Sequence, residues 1–243
     1  MFKRSVPALL VIFVLTLGTQ ACNGQGFKDL VNKTKKTLLD DGNVDIGAGL
    51  KQALEFGVTD AVQSLSKENG YLISPYKILV PPEAQQVVSK LKLVPGFENV
   101  EKDLVEKMNE AAEYAAKKAT PIFVSAITSM TFDDAMKILT GEKDAATQYL
   151  ERTTRQQLYD EFMPVIQGAL DEVNAREYWT KAVEQYNKIP FVKKVNPELD
   201  DHVNNKALDG LFGEIEKKEE KIRTDQSQRT TELLQKVFAK QDS

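Results

Sequence analysis

A chain of 243 residues, 42% hydrophobic and 28% charged, is long enough for one domain with a sizeable core. Its 32 Lys and Arg stand against 36 Asp and Glu, a net charge of −4. That balance argues against nucleic acid as a partner, because phosphate binding favours a basic face.

The first element reads as an export signal over residues 1–21. Lys3 and Arg4 precede an apolar run over residues 6–17, broken by Pro7 and Thr16. A membrane-spanning helix needs about 20 apolar residues, so this run is too short. Small and polar residues then lead to Cys22, the layout of a bacterial signal peptide. Two cleavage routes fit. An ordinary peptidase could cut after Ala21, with Thr19 at the second small position. A lipoprotein signal would instead make Cys22 the lipid-attachment residue. The lipobox is imperfect, since Thr19 replaces the usual Leu and Gln20 is bulky. No second cysteine follows, and a lone thiol in an oxidising compartment would have no disulfide partner, which favours lipidation.

The expectation is therefore a membrane-anchored protein of the bacterial cell envelope, on the periplasmic side or at the outer membrane. Residues 22–26 would be the lipidated cysteine and a short tether, and residues 27–243 the body. Residues 23–26 reach about 14 Å when extended, which keeps the body near the bilayer. Losing Lys3 and Arg4 takes the charge to −6. An anionic surface would repel such a body unless its lysines are segregated.

Within the body, Phe27, Leu30, Val31, Thr34, Leu38 and Leu39 recur at helical spacing among Lys28, Lys33, Lys35 and Lys36. Such a helix either packs on the domain with a solvated basic face or lies on the membrane. Residues 40–45 imitate a calcium loop. The motif requires Gly and Glu at its sixth and twelfth positions, and here these hold Ile46 and Gln52, so a turn with Asp45 as helix N-cap is the better account. Ile46, Leu50, Leu54, Val58, Ala61, Val62 and Leu65 then form one apolar stripe. Residues 70–82, with Pro75, Pro81 and Pro82, read as loop.

A short helix is predicted over 83–93 and a longer one from Val100 to Ala115. Thr120 and Pro121 look like N-cap and first turn of the next. Thr131 and Asp134 spell a capping box for a helix ending near Gly141. Thr154 is read as the cap of a helix carrying Leu158, Phe162, Ile166, Leu170 and Val173, with a kink at Pro164. Tyr178, Trp179, Val183 and Tyr186 mark a segment stopped by Pro190. A helical hairpin closes the chain, its arms starting at Asp200 or Asp201 and at Thr230 or Thr231. No strand pattern of convincing length occurs. The predicted fold class is all-α: an irregular multi-helix single domain with a C-terminal helical hairpin.

Residues that could do chemistry are few. One histidine, His202, leaves little for zinc or di-iron ligation, and no phosphate-binding glycine loop is present. No metal, cofactor or catalytic residue is expected. Asp133, Asp134, Asp209, Glu214, Glu219 and Glu220 could supply an acid–base pair, yet capping explains Asp134. Glu219 and Glu220 read as a charged helix face beside Lys217, Lys218 and Lys221. The oddest feature is Asp209-Gly210 inside an apolar helix. Glycine there costs about 1 kcal/mol relative to alanine, which points to close packing or a groove. Asp209 would want a partner, and Arg223, Arg229 or Arg152 could supply it as a structural or binding polar cluster.

Several blocks occur in order: Gly49-Leu50-Lys51-Gln52-Ala53-Leu54; Pro121-Ile122-Phe123-Val124 leading to Met130-Thr131 and Asp134-Ala135; Ile138-Leu139-Thr140-Gly141 with Ala145-Ala146-Thr147-Gln148-Tyr149; Lys206-Ala207-Leu208-Asp209-Gly210-Leu211-Phe212; and Glu219-Glu220 to Ile222-Arg223 with Arg229-Thr230-Thr231 to Val237-Phe238. Together they resemble the bacterial family named domain of unknown function 4197, across about residues 46–239. His202 stands where similar proteins often carry Tyr. The resemblance implies an exported, mainly helical protein and brings no activity with it. The functional expectation is a membrane-tethered, non-catalytic binding protein whose partner is an envelope protein or a small ligand. The alternatives are a carboxylate-based hydrolase of the envelope and a carrier of a lipid or other hydrophobic ligand.

Overall fold

The apolar stripes become helices. A computed structural model of the chain describes residues 46–82, 85–92, 98–172, 174–196, 198–229 and 231–239. These comprise α1 (Ile46–Ser66), α2 (Gln85–Leu91), α3 (Val100–Ala116), α4 (Ala119–Ser129), α5 (Phe132–Thr140), α6 (Ala145–Asp171), α7 (Ala175–Asn187), α8 (Leu199–Thr224), a 3-10 turn (Gln226–Gln228) and α9 (Glu232–Phe238). No strand occurs among the described residues, so the fold is all-α. None of the described helices is long and apolar enough to cross a membrane. Cys22, the tether, the 27–39 segment and Asp45 lie outside the described residues.

The two longest helices, α6 and α8, pack on each other, and α3 lies against both. Leu158, Phe162, Ile166 and Leu170 of α6 share one buried cluster with Val203, Ala207, Leu208 and Leu211 of α8. The second half of α3 buries the small residues Ala111, Ala112, Ala115 and Ala116, which let neighbouring helices approach closely. On the other side α1 packs against α8 and α4. Phe123 of α4 meets Phe212 of α8 edge to face, centroids 5.8 Å apart. The closing helix α9 turns back onto α1 and buries Leu234, Val237 and Phe238.

Local signals behave unevenly. The Thr131 hydroxyl accepts the Asp134 N–H at 3.1 Å, while the Asp134 carboxylate accepts the Thr131 N–H at 3.1 Å, a reciprocal capping box. Thr231 caps α9 by accepting from the Leu234 N–H. Thr154 does not begin a helix. It lies buried inside α6, its hydroxyl donating to the carbonyl of Leu150 at 2.6 Å, and such back-bonding lets a threonine sit mid-helix. Thr120 is likewise inside its helix, because α3 and α4 are joined by only Lys117 and Lys118. Both keep right-handed helical angles, so the chain turns without an extended N-cap. Asp200 and Asp201 fall in the first turn of α8, where the helix dipole favours acids.

Candidate functional site

Residues 67–82, between α1 and α2, form a strap held from two sides. It turns at Asn69, φ 59°, and at Gly70, where a Cβ would sit 2.4 Å from the Leu65 carbonyl oxygen. Only glycine fits there. From one side α3 presents Asn109 and Glu113, one helical turn apart and both buried. Glu113 accepts the N–H groups of Asn69 and Tyr71, each at 3.1 Å. Asn109 accepts the Ile78 N–H and donates to the Ile78 carbonyl, both at 2.9 Å, the exchange a neighbouring strand would provide.

From the other side α8 offers Gly210 and Gly213. A Cβ on Gly210 would lie 2.9 Å from carbons of Tyr71 and Tyr76, and one on Gly213 2.8 Å from the Tyr76 ring. The glycine inside the apolar run therefore marks close packing. Tyr71, wholly buried, donates to the Ala207 carbonyl at 2.8 Å. Burial and the hydrogen-bonded Glu214 carboxylate push the Tyr76 phenol up to about 12.

A second buried network joins α8 to the turn between α5 and α6. Glu219 accepts the N–H groups of Ala146 at 3.0 Å and Thr147 at 2.8 Å, and the Thr147 hydroxyl at 2.9 Å. It thus caps the N-terminus of α6 from another helix. Arg223, one turn further along α8, donates to Glu219 at 2.8 Å and to the Ile138 carbonyl at the end of α5, also at 2.8 Å. Glu219 is buried, not part of a solvated face as its neighbours suggest.

Hollows open on this scaffold among the described residues, and three of them bear on function. The first, about 350 Å³, lies between α7, the 193–196 segment and the first turns of α8. Trp179 forms its apolar wall, and its indole N–H donates to the Asn196 carbonyl at 3.4 Å. Lys193, Lys194 and Lys206 bring positive charge, and His202 sits with Nε2 3.0 Å from the Leu79 carbonyl oxygen. Asp201 and Asp209 also line it. Asp201 accepts from the Tyr159 hydroxyl at 2.7 Å and from Asn205 at 2.9 Å. Asp209 accepts from Arg155 at 2.7 Å and Lys206 at 3.3 Å.

The second hollow, about 450 Å³, is acidic, lined by Glu68, Glu106, Glu110 and Glu113 with Tyr114 and Lys117. Burial pushes the Glu113 carboxyl up, the amides of Tyr71, Leu72 and Asn69 pull it down, and Glu110 adds a further upward push. The third is apolar, beneath α9 among Leu54, Val58, Leu150, Ile215 and Phe238, and at about 20 Å³ has room for about one water. No group of three His, Cys, Asp or Glu placed to hold a metal ion occurs among the described residues.

Over residues 41–239 the chain matches the family described as protein of unknown function, DUF4197. It belongs to that family. No curated protein and no solved structure matches it.

The polar residues singled out in this DUF4197 chain do not form one cluster. Asp209 is about half exposed and pairs with Arg155, not with Arg223, Arg229 or Arg152. It precedes Arg223 by fourteen positions on α8, about 21 Å along the axis, and cannot reach it. Arg152 is exposed, its guanidinium 5.7 Å from the Tyr149 ring centre. Arg223 and Arg229 do meet. Arg229 donates to the Ile222 and Arg223 carbonyls at 3.0 and 2.9 Å, closing the end of α8. The two guanidinium groups lie 5.9 and 5.6 Å from the Phe238 ring centre. Sequence reasoning missed Arg155, Asn109 and Glu113 because their partners are far away in the chain. Buried polar residues one turn apart, as at 109 and 113, are the signal that could have marked them.

Proposed function

We propose that this DUF4197 protein is a lipid-anchored, non-catalytic binding protein of the bacterial cell envelope. Its binding site is the cleft beside Trp179, and the group it takes is the anionic part of a small ligand or protein partner. The observation that carries this reading is the lining of that cleft. An apolar wall, a histidine and three lysines line it, while Asp201 and Asp209 are engaged by Tyr159, Asn205, Arg155 and one of those lysines, Lys206. A non-catalytic role is supported by the acids that could have formed a catalytic pair. Glu219 caps α6, Asp134 belongs to a capping box, and Glu214 faces Tyr76 and Lys218. The anchor rests on the signal and the solitary Cys22.

Native mass spectrometry of the protein, gently purified from the envelope of its host, tests the reading. A reproducible added mass that disappears in Lys206→Glu supports it; an unliganded wild type without any co-purifying partner sinks it. Mass spectrometry of the mature N-terminus tests the anchor: Cys22 should begin the chain and carry acyl mass, and an unmodified Cys22 thiol would refute it.

The observation favouring a hydrolase is the raised Glu113 beside Glu110 in the acidic hollow. Both Glu113 oxygens already hold the strap, and Glu110 pairs with Lys107 at 2.6 Å. Turnover of cell-wall polymer or phospholipid that is lost in Glu110→Gln would establish that alternative.

A further inference from the structure

The segment joining α7 to α8 carries an apolar tip that the cleft does not use. Residues 188–194 read Lys-Ile-Pro-Phe-Val-Lys-Lys. Phe191 is 108% exposed and Ile189 42%. The base of the loop is clamped: Asn187 donates to the Val195 carbonyl at 2.8 Å and accepts the Val195 N–H at 2.9 Å. Val195 and Trp179 anchor that base in the core. Phe191 itself is held at φ 64°, the left-handed region that a bulky side chain rarely enters. The scaffold is firm while the tip is strained and projects its ring into solvent, a combination that calls for something to receive the ring.

The surrounding charge says what that is. Lys188, Lys193 and Lys194 flank the apolar tip, and no acid occurs from residue 188 to 196. All three lysines are exposed. In a chain of net charge −4 this is a local segregation of positive charge around an apolar point. An anionic bilayer matches both features, with acyl chains to receive Phe191 and Ile189 and headgroup phosphates for the lysines. We propose that the 188–194 loop is a membrane-docking wedge that inserts Phe191 into an anionic lipid surface. The loop leads directly into Lys193 and Lys194 at the cleft, so docking would set the cleft's mouth against the bilayer. The inference rests on the membrane location proposed above, and it does not depend on which ligand the cleft holds.

The test is vesicle co-sedimentation of the mature chain, residues 22–243, carrying Cys22→Ser so that no lipid anchor contributes. Vesicles of equal parts phosphatidylglycerol and phosphatidylcholine are compared with phosphatidylcholine alone. Expected is binding to the anionic vesicles only, weakened by added salt. Phe191→Ser should lower the partition coefficient about tenfold or more, because burying a phenylalanine ring is worth over a decade of partitioning. Lys193→Glu with Lys194→Glu should abolish it. Phe191→Trp should show a blue-shifted, quencher-protected emission on anionic vesicles above the background of buried Trp179. Equal partitioning of wild type and Phe191→Ser would overturn the proposal, as would failure of the wild type to bind. A concentration-dependent dimer lost in Phe191→Ser, without vesicle binding, would instead assign the tip to a second copy of the chain. The cleft reading is scored separately: an added mass retained in Phe191→Ser leaves it standing whatever the vesicles show.

Discussion

At the scale of single residues, Glu219 and Arg223 work as one unit. Their side chains are 7% and 9% exposed and satisfy the ends of two other helices. Glu219→Ala would strand the amides of Ala146 and Thr147 and leave a buried guanidinium uncompensated. The expected loss is about 3–5 kcal/mol in urea unfolding. Glu219→Gln keeps an acceptor and should lose less. Combined with Arg223→Ala, the losses should be strongly non-additive, since each single change already removes the shared interaction. Phe191 is expected to behave in the opposite sense. Phe191→Gly removes a left-handed bulky residue from a fully exposed position and should raise stability by about 1 kcal/mol, the ordinary size of such backbone strain. A variant that gains stability while losing vesicle binding would mark that strain as the counterpart of function.

Tyrosines give the pH dependence. The Asp201 hydrogen bond and burial hold the Tyr159 phenol up to about 12, as burial and Glu214 hold Tyr76. Burial, with Glu113 nearby, raises Tyr71 further still. The folded state thus keeps these protons after the unfolded chain, with ordinary values near 10, has lost them. Their contribution to stability should be complete below pH 10 and decline as pH rises through 12. Phenolate absorbance, followed alongside unfolding, checks this: Tyr71 should ionise only with loss of structure.

Among the elements, two glycines in helix interiors make opposite predictions. Gly168 of α6 has nothing within 4 Å of where a methyl group would sit, so Gly168→Ala should stabilise by about 0.5–1 kcal/mol. Gly210 of α8 faces Tyr71 and Tyr76 at 2.9 Å, so Gly210→Ala should destabilise despite the same gain in helix propensity. Urea midpoints of the two variants, moving in opposite directions, would verify the packing of strap on helix. The elements themselves were largely legible. Apolar spacing marked α1 and α3, and the Thr131 and Thr231 caps sat where helices begin. Thr154 misled because a threonine just ahead of an apolar stripe imitates a cap, and only the depth of α6 in the core reveals it as interior. Asp209 misled for a different reason: the sequence does not say which helix will lie opposite, and that helix supplied Arg155. Glu219 looked solvated among its lysines because its partners are 72 and 73 positions away.

At the scale of the whole molecule, α8 is the element on which the others converge. It packs against α1, α3, α6 and α7, receives the strap on its glycines, and closes the α5–α6 turn with Glu219 and Arg223. A chain ended before residue 199 should therefore show no cooperative thermal transition by circular dichroism, although most of its helices are encoded upstream. That arrangement has a bearing on biogenesis. The helix that completes the core follows α1 to α7 in the chain, so the emerging polypeptide lacks its keystone until those helices have been synthesised. Premature folding is discouraged by topology alone. Such lateness would suit the export proposed above, because a chain that has not yet folded can still be threaded through a membrane.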